Sequence, residues 1–570
     1  MCGAAQIKLV IRENLLPRQH LLCALSAGHM TGRTGRISAL TCVVAIVLFG
    51  GMATADAAGE YAVIFDAGST GTRIHIYKRA LDDAASIPTF RTKNSWSLKV
   101  KPGISSYSDN PAGSGASILP LLKLAQRVIP DNKKASAMVM LGATAGMRLL
   151  PPQVQAQIHD ALYASVRDNS GLVPRRQDFS TISGIDEGVY GWLSVNMLLS
   201  KAKRLSDSDL GSIAVLDLGG ASTQITLPSP TVVVPSDSQV EKRTLLAGRA
   251  RTVYSHSYIG FGNQEAMMAL TPSEAAACLA RDARASGAWT LTTDPLLGNR
   301  AELNGTGVVE DCVRGIRRTL SSFAISHSNH SKMVAPHPAL GTRRVFGMSL
   351  FFYATHFAHT AGYLGSPPHH TFMTSAETSA ETSAETSAET SAEPSLVYTP
   401  RELKAAANLL CAEPHAALFK RLSGKDPFTP DGAIAWRCHD LLYVVYLLLD
   451  GYGFSEDTKV EFIGEINGTE VDWTIGALYA RLVKEGRIGH GSAQGDQMDT
   501  LSPLAASEVA PVSSGKLIPL LLLVGACLYL IRLLRRPRRR LDMRLSGKRS
   551  SSDDDRDDEV AGDLEAIYEK

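Results

Sequence analysis

An α/β chain is predicted from three observations. Short apolar runs recur in pairs around glycine- and hydroxyl-rich turns, segments of helical composition lie between them, and one turn pattern occurs twice. The first pair is Tyr61-Ala62-Val63-Ile64-Phe65 and Ile74-His75-Ile76-Tyr77. Ser136 to Leu141 is a further apolar run that stops at Gly142, and Pro152 to Val166 reads as a helix. Ser212 to Leu216 and Gln224 to Leu227 repeat the strand–turn–strand arrangement, and Asp440 to Leu449 is again helical in composition.

Composition narrows the class. The 570 residues are 44% hydrophobic and 20% charged, which is ordinary globular usage and excludes wholesale disorder, collagen-like repeats and a disulfide miniprotein. Net charge is +2, from 58 Lys+Arg against 56 Asp+Glu, so no basic excess points to a nucleic-acid partner. That small sum conceals asymmetry at the two ends. Arg33 and Arg36 precede an uncharged run from Ile37 to Ala55, closing on Ala53-Thr54-Ala55, which suits a secretory h-region or a signal anchor. Leu517 to Leu534 is long enough to cross a bilayer, and the arginine-rich segment from Arg535 to Arg549 places the C-terminal side in the cytoplasm. The intervening chain is then extracellular or in the lumen of the secretory pathway, at the cell surface or in the Golgi.

Cysteines and sequons fit that placement. Cys278, Cys312, Cys411 and Cys438 lie in the exported region, and sequential closure, Cys278 with Cys312 and Cys411 with Cys438, makes the most local loops. Asn304, Asn329 and Asn467 are glycan acceptors by sequence. Thr374 to Glu393 consists of five Thr-Ser-Ala-Glu copies with no apolar residue able to bury a face, so it reads as a solvated insert.

The chemistry sits in the repeated turn. Asp66-Ala67-Gly68-Ser69-Thr70-Gly71-Thr72-Arg73 and Asp217-Leu218-Gly219-Gly220-Ala221-Ser222-Thr223-Gln224 each end an apolar strand on Asp, then run through glycines and hydroxyls into a second strand. Such turns converge backbone N–H groups on an anion, and the Asp suits a divalent cation held through water. One such hairpin is an ordinary turn as readily as a site; two of matching grammar would clamp a polyphosphate from both sides. Between them, Gly142-Ala143-Thr144-Ala145-Gly146-Met147-Arg148 allows close backbone approach, and Glu187, at a helix start after Ser183-Gly184, is a candidate base for water.

Together with Asp472-Trp473-Thr474-Ile475-Gly476-Ala477, these segments resemble, in order, the five apyrase-conserved regions of the ecto-nucleoside triphosphate diphosphohydrolases (apyrases) over residues 60 to 485. The resemblance implies a two-lobed actin-like and sugar-kinase-like (ribonuclease H-like) α/β fold with a nucleotide site in the cleft between lobes. Combined with the end segments and the insert read above, the expected layout is an N-terminal cytoplasmic segment with signal anchor or signal peptide (1–57), lobe I (58–190), lobe II with the repeat insert at 374–393 (191–455), a return segment to lobe I (456–488), a stalk (489–516), a transmembrane helix (517–534) and a basic then acidic tail (535–570).

By position, Glu187 is then the general base, with Gln224 and Ser222 orienting the water. Asp66 and Asp217 hold Ca²⁺ or Mg²⁺ through its water shell, near Trp473. Ser69, Thr70, Gly71, Thr72, Thr144, Ala145, Gly219, Gly220, Ala221 and Ser222 bind phosphate; Tyr353 and Arg437 are candidates to sandwich the base, and equally fit core or surface positions. Gly71 departs from the pattern, since many animal members carry His there, which bears on how the phosphate tail is seated and on the balance of triphosphate and diphosphate hydrolysis. The implied activity is cleavage of terminal phosphate from nucleoside tri- and diphosphates. Two other readings are an exopolyphosphatase, whose glycine loops are similar, and a non-catalytic actin-like nucleotide-binding or adhesion protein.

Overall fold

In the computed structural model, which describes residues 59–80, 86–229, 241–285, 303–326, 343–365 and 396–488, each glycine hairpin seeds a sheet. The N-terminal segment 1–57, Asn329, the repeat insert 374–393, the stalk, the transmembrane segment 517–534 and the tail 535–570 lie outside the described residues. The first sheet comprises β1 (Gly59–Ala67), β2 (Thr72–Ala80), β3 (Phe90–Arg91), β4 (Ser97–Val100), β5 (Met138–Ala143) and β6 (Phe179–Thr181). Its order is β3-β2-β1-β5-β6, with β4 also paired to β2. The β1–β2 pair is antiparallel, whereas β1–β5 and β5–β6 are parallel.

The second sheet repeats this plan. It comprises β7 (Ala214–Leu218), β8 (Ser222–Pro228), β9 (Glu241–Leu246), β10 (Arg249–Ile259) and, after the small ribbon of β11 (Arg284–Ala285) and β12 (Leu303–Asn304), β13 (Val345–Ser349), β14 (Leu396–Tyr398) and β15 (Val460–Phe462). The order is β14-β15-β13-β7-β8-β10-β9. Again the first two strands are antiparallel (β7–β8) and the next two neighbours parallel (β7–β13, β13–β15). Two copies of one mixed-sheet topology make the actin-like, two-lobed α/β fold. Parallel neighbours need covered faces, and β7 is accordingly buried at every residue.

An apolar layer joins the lobes. Ile64 and Tyr77 from the first sheet, Val215 and Phe346 from the second, and Trp192, Leu478 and Tyr479 from two helices belong to one buried cluster. Those helices are Gly184–Lys201 and Thr474–Lys484. The expected lobe division at 190/191 therefore falls inside a continuous helix, and β15, within the expected return segment, belongs to the second sheet. The two helices cross at Gly476, where a Cβ would overlap the Tyr190 carbonyl oxygen. Backbone cannot swing aside as a side chain can. Gly476→Ala is therefore expected to cost about 1–3 kcal/mol of stability, read as a lower denaturant midpoint with unchanged slope.

The disulfides pair sequentially, Cys278–Cys312 and Cys411–Cys438. All four cysteines are fully buried in the second lobe. Among the described residues one stretch, Asp431–Gly451, is long and apolar enough to cross a membrane, and it is mostly buried as core of that lobe. Asn304 and Asn467 are exposed.

Candidate active site

The tips of the two hairpins touch. A Cβ added at Gly220 would stand 2.5 Å from Ser69 Oγ and 3.0 Å from Thr70 Cγ2, so only a bare backbone allows the second tip to approach the first this closely. Each tip is also braced from outside by a glycine. At Gly103 a Cβ would overlap the Ser69 carbonyl oxygen, with that of Gly68 also at contact; at Gly262 it would overlap the Gly220 carbonyl. The carbonyls of Gly219 and Gly220 accept from the N–H groups of Asn263 (3.0 Å) and Gln264 (2.8 Å). Peptide units are planar and trans, so turning these carbonyls outward turns the N–H groups of Ser69, Thr70, Gly220 and Ala221 the opposite way. Those residues line a cleft of about 300 Å³ together with Gly68, Thr144, Ala145, Gly219 and Ser222. The result is an anion nest built from both lobes.

Glu187 enters this cleft from the first turn of its helix. Ser183 caps that helix, its hydroxyl accepting from the Asp186 N–H at 3.0 Å. Gly188 then lets the helix settle on the second sheet, because a Cβ there would lie 2.5 Å from Ser255 Oγ and 2.6 Å from Thr226 Oγ1. The carboxylate accepts from Arg148 Nη1 (2.9 Å) and from Gln224 Nε2 (3.1 Å). Ser222 Oγ lies 2.7 Å from the same Gln224 nitrogen and 3.0 Å from Arg148 Nη2. Burial pushes Glu187 up to about 7, against the pull of Arg148 and with a push from the negative charge of Asp217. A carboxylate so poised accepts a proton near neutral pH.

Arg148 was not among the residues expected in the site. Strand spacing shows that it follows a close-approach turn, but not that the short helix Ala145–Arg148 aims it at Glu187. Removing its charge leaves Glu187 with burial and the charges of Asp217 and Asp66, all of which favour the protonated form. In Arg148→Gln the acid limb of the kcat/KM–pH profile is expected to move to higher pH, while the alkaline plateau falls less than activity at pH 6. A profile of unchanged midpoint would contradict this role.

Asp66 and Asp217 stand at matching positions at the ends of β1 and β7. Asp217 is buried and Asp66 half-buried; both are pushed up to about 6, Asp66 by desolvation and by Asp472, Asp217 by burial, partly offset by a hydrogen bond from Ser349. Trp473 Nε1 donates to Asp66 Oδ1 at 3.2 Å, its ring lying against Gly142, where a Cβ would overlap it. Asp217 Oδ1 is buried with no protein hydrogen-bond partner. Two desolvated carboxylates, one with an oxygen lacking a donor, fit a divalent cation: it would supply the charge and the contacts that the protein does not. Ser349 lines the same cleft with φ at 58°, a left-handed backbone held for a non-glycine residue where β13 meets the helix Leu350–Thr360.

Two expected site residues lie elsewhere. Thr72 is fully buried and does not line the cleft, because alternation along β2 sends Arg73 to the cleft and Thr72 to the opposite face. Arg437 is buried in the second lobe and committed to protein partners: Asp440 Oδ2 (3.0 Å), Thr429 Oγ1 (2.7 Å) and the Phe428 carbonyl (3.3 Å). It cannot sandwich a base, but it anchors the segment that carries Phe428. That ring lies near-parallel to Tyr353, with centroids 6.0 Å apart and planes at 23°. Tyr353 lines the cleft, and its hydroxyl donates to Glu470 Oε1 at 3.4 Å. Glu470 in turn pairs with Arg73.

Residues 52–485 match the GDA1/CD39 (nucleoside phosphatase) family. A nucleoside-triphosphatase of Pisum sativum is 28% identical over 435 residues, covering 73% of this chain and 87% of the pea protein. Ectonucleoside triphosphate diphosphohydrolase 8 of Bos taurus is 26% identical, covering 74% and 82% respectively. Among solved structures, a nucleoside triphosphate hydrolase from Neospora caninum is similar over 80% of this chain and 98% of its own, with a TM-score of 0.47 and 13% identity. With paired glycine hairpins, a buried glutamate between them and a family match across the whole two-lobed region, this chain belongs to the GDA1/CD39 nucleoside phosphatase family.

Proposed function

We propose that this chain is an apyrase-type hydrolase that releases the terminal phosphate of nucleoside tri- and diphosphates by in-line attack of water. The observation that carries the reading is the placement of Glu187, hydrogen-bonded to Gln224 and Arg148, in the cleft formed by both hairpin tips.

The phosphate chain is bound by the N–H groups of Ser69, Thr70, Gly220 and Ala221 and by the Thr144 hydroxyl. Ser222 and Gln224 orient a water beside Glu187. As the water oxygen bonds to phosphorus, its proton passes to Glu187 and the anhydride P–O bond breaks, leaving the shortened nucleotide with the bridging oxygen. Asp66 and Asp217 would hold Ca²⁺ or Mg²⁺, with Trp473 fixing Asp66, and such an ion supplies charge neutralisation for the phosphoryl group. Tyr353, which lines the cleft, presents an aromatic face for the nucleobase, and Phe428 packs near-parallel to its ring.

The apolar segments at 37–55 and 517–534 support an integral membrane protein whose hydrolase region faces the cell exterior or the lumen of the secretory pathway. Phosphate release from ATP, ADP, UDP, GDP and polyphosphate, with Ca²⁺ or Mg²⁺ and with EDTA, tests the substrate class. Cation-dependent turnover of nucleotides is expected. Turnover of polyphosphate alone selects the exopolyphosphatase reading, and nucleotide binding without turnover selects the non-catalytic one.

A further inference from the structure

Lys99 is a cation of the cleft that lies outside both glycine hairpins. It sits on β4, directly across from Arg73 of β2, and both line the cleft. The charge of Arg73 is met by Glu470 and that of Arg148 by Glu187. Lys99 differs: among the described residues no carboxylate lies within 4.0 Å of its Nζ, which instead donates to the Thr70 hydroxyl at 3.3 Å. It thus holds a positive charge beside a tip whose N–H groups already face an anion.

Gly71 makes this reach possible. A Cβ at position 71 would stand 2.7 Å from Lys99 Cε and 2.6 Å from the Val100 carbonyl oxygen. The lysine stem therefore occupies the space that any side chain at 71 would need. The two residues form one device, in which the absence of a side chain on the hairpin lets a lysine from the neighbouring strand cross over it.

We infer that Lys99, admitted by Gly71, binds an oxygen of the nucleotide's phosphate chain at the tip of the first hairpin and favours the more highly charged triphosphate. The inference rests on the hydrolase reading above. Its chemistry is a point-charge contact to phosphate, which lysine supplies without the bidentate geometry of arginine.

The test uses the full chain in detergent, with saturating divalent cation, and measures KM and kcat for a nucleoside triphosphate and its diphosphate. Lys99→Met is expected to raise KM about tenfold for the triphosphate and less for the diphosphate, with kcat within about threefold of the parent, because a contact made equally in ground and transition states moves KM alone. Lys99→Arg is expected to keep most of the affinity. Gly71→Ala should raise KM at least as much as Lys99→Met, since its Cβ also meets the Val100 carbonyl, and adding Lys99→Met to it should raise KM little further because the lysine contact is already lost. High salt should narrow the gap between parent and Lys99→Met.

An unchanged triphosphate KM in Lys99→Met, or a loss confined to kcat, overturns the role given to Lys99. Additive losses in the double variant overturn the coupling to Gly71. A parent enzyme that releases no phosphate from nucleotides overturns the hydrolase reading itself, and this outcome is visible before any variant is compared.

Discussion

Glu187→Gln is expected to lower kcat by roughly 10²–10⁴-fold, the usual contribution of a positioned general base. The substitution is nearly isosteric, and glutamine keeps a carbonyl oxygen to accept from Arg148 and Gln224, so the network around Ser222 should persist. What it lacks is a basic oxygen able to take the water's proton. KM should change little, because the phosphate contacts come from the hairpin tips rather than from Glu187. In the parent enzyme, with Glu187 pushed up to about 7 by burial, activity should rise with pH through that value as the carboxylate ionises. The variant should lose that limb. Residual activity within tenfold of the parent, with the same pH limb, would assign the base elsewhere.

The second large effect concerns the cation. Asp217→Asn replaces a buried carboxylate, one oxygen of which has no protein donor, with a neutral amide. The concentration of Ca²⁺ or Mg²⁺ giving half-maximal turnover should rise at least on the order of 10–100-fold, the loss usual even for groups that only support a metal ligand. Cation binding also stabilises the folded state by mass action, so added Ca²⁺ should raise the melting temperature of the parent and not of the variant. The pH dependence has a definite sign. Binding needs ionised carboxylates, and Asp66 and Asp217 are raised to about 6, so cation affinity should fall as pH drops through that range. Equal cation requirements and equal thermal shifts in parent and variant would remove Asp217 from the cation site.

The hairpins were legible in sequence because their signals are local. Asp at a strand end, glycines at the turn and hydroxyls entering the return strand are contiguous, and burial of the flanking apolar runs follows from the same residues. The pairing of the two hairpins was legible as a repetition, and the structure brings their tips together at Gly220 and Ser69. Thr72 marks a place where the local signal was overread. Its hydroxyl belongs to the turn's composition, but strand alternation, also readable in sequence, directs it to the face opposite Arg73.

Residues positioned by distant chain left no such trace. Arg73 meets Glu470 across a separation of 397 residues; Trp473, which reaches Asp66 across 407, is placed near the cation by the family resemblance and not by any local pattern. Gly103 and Gly262 turn the tip carbonyls outward from segments that carry no phosphate-binding pattern of their own. Nothing in the sequence decides between a base contact and a core role for Arg437; its burial and its bonds to Asp440 and Thr429 show that it orders the Phe428 segment. Lobe boundaries were blurred for a related physical reason. A helix serving both lobes, Gly184–Lys201, has apolar residues all round it, and periodicity cannot say to which sheet each face belongs.

Hydrolysis in ¹⁸O-labelled water, with the released phosphate and the remaining nucleotide analysed separately by mass spectrometry, tests direct water attack at the terminal phosphorus. Under single-turnover conditions with Ca²⁺, one solvent oxygen should enter the inorganic phosphate and none the nucleotide, at a rate that Glu187→Gln lowers by the factor given above. Label in the nucleotide product, or a burst of phosphate covalently bound to the protein, would contradict attack by a Glu187-activated water.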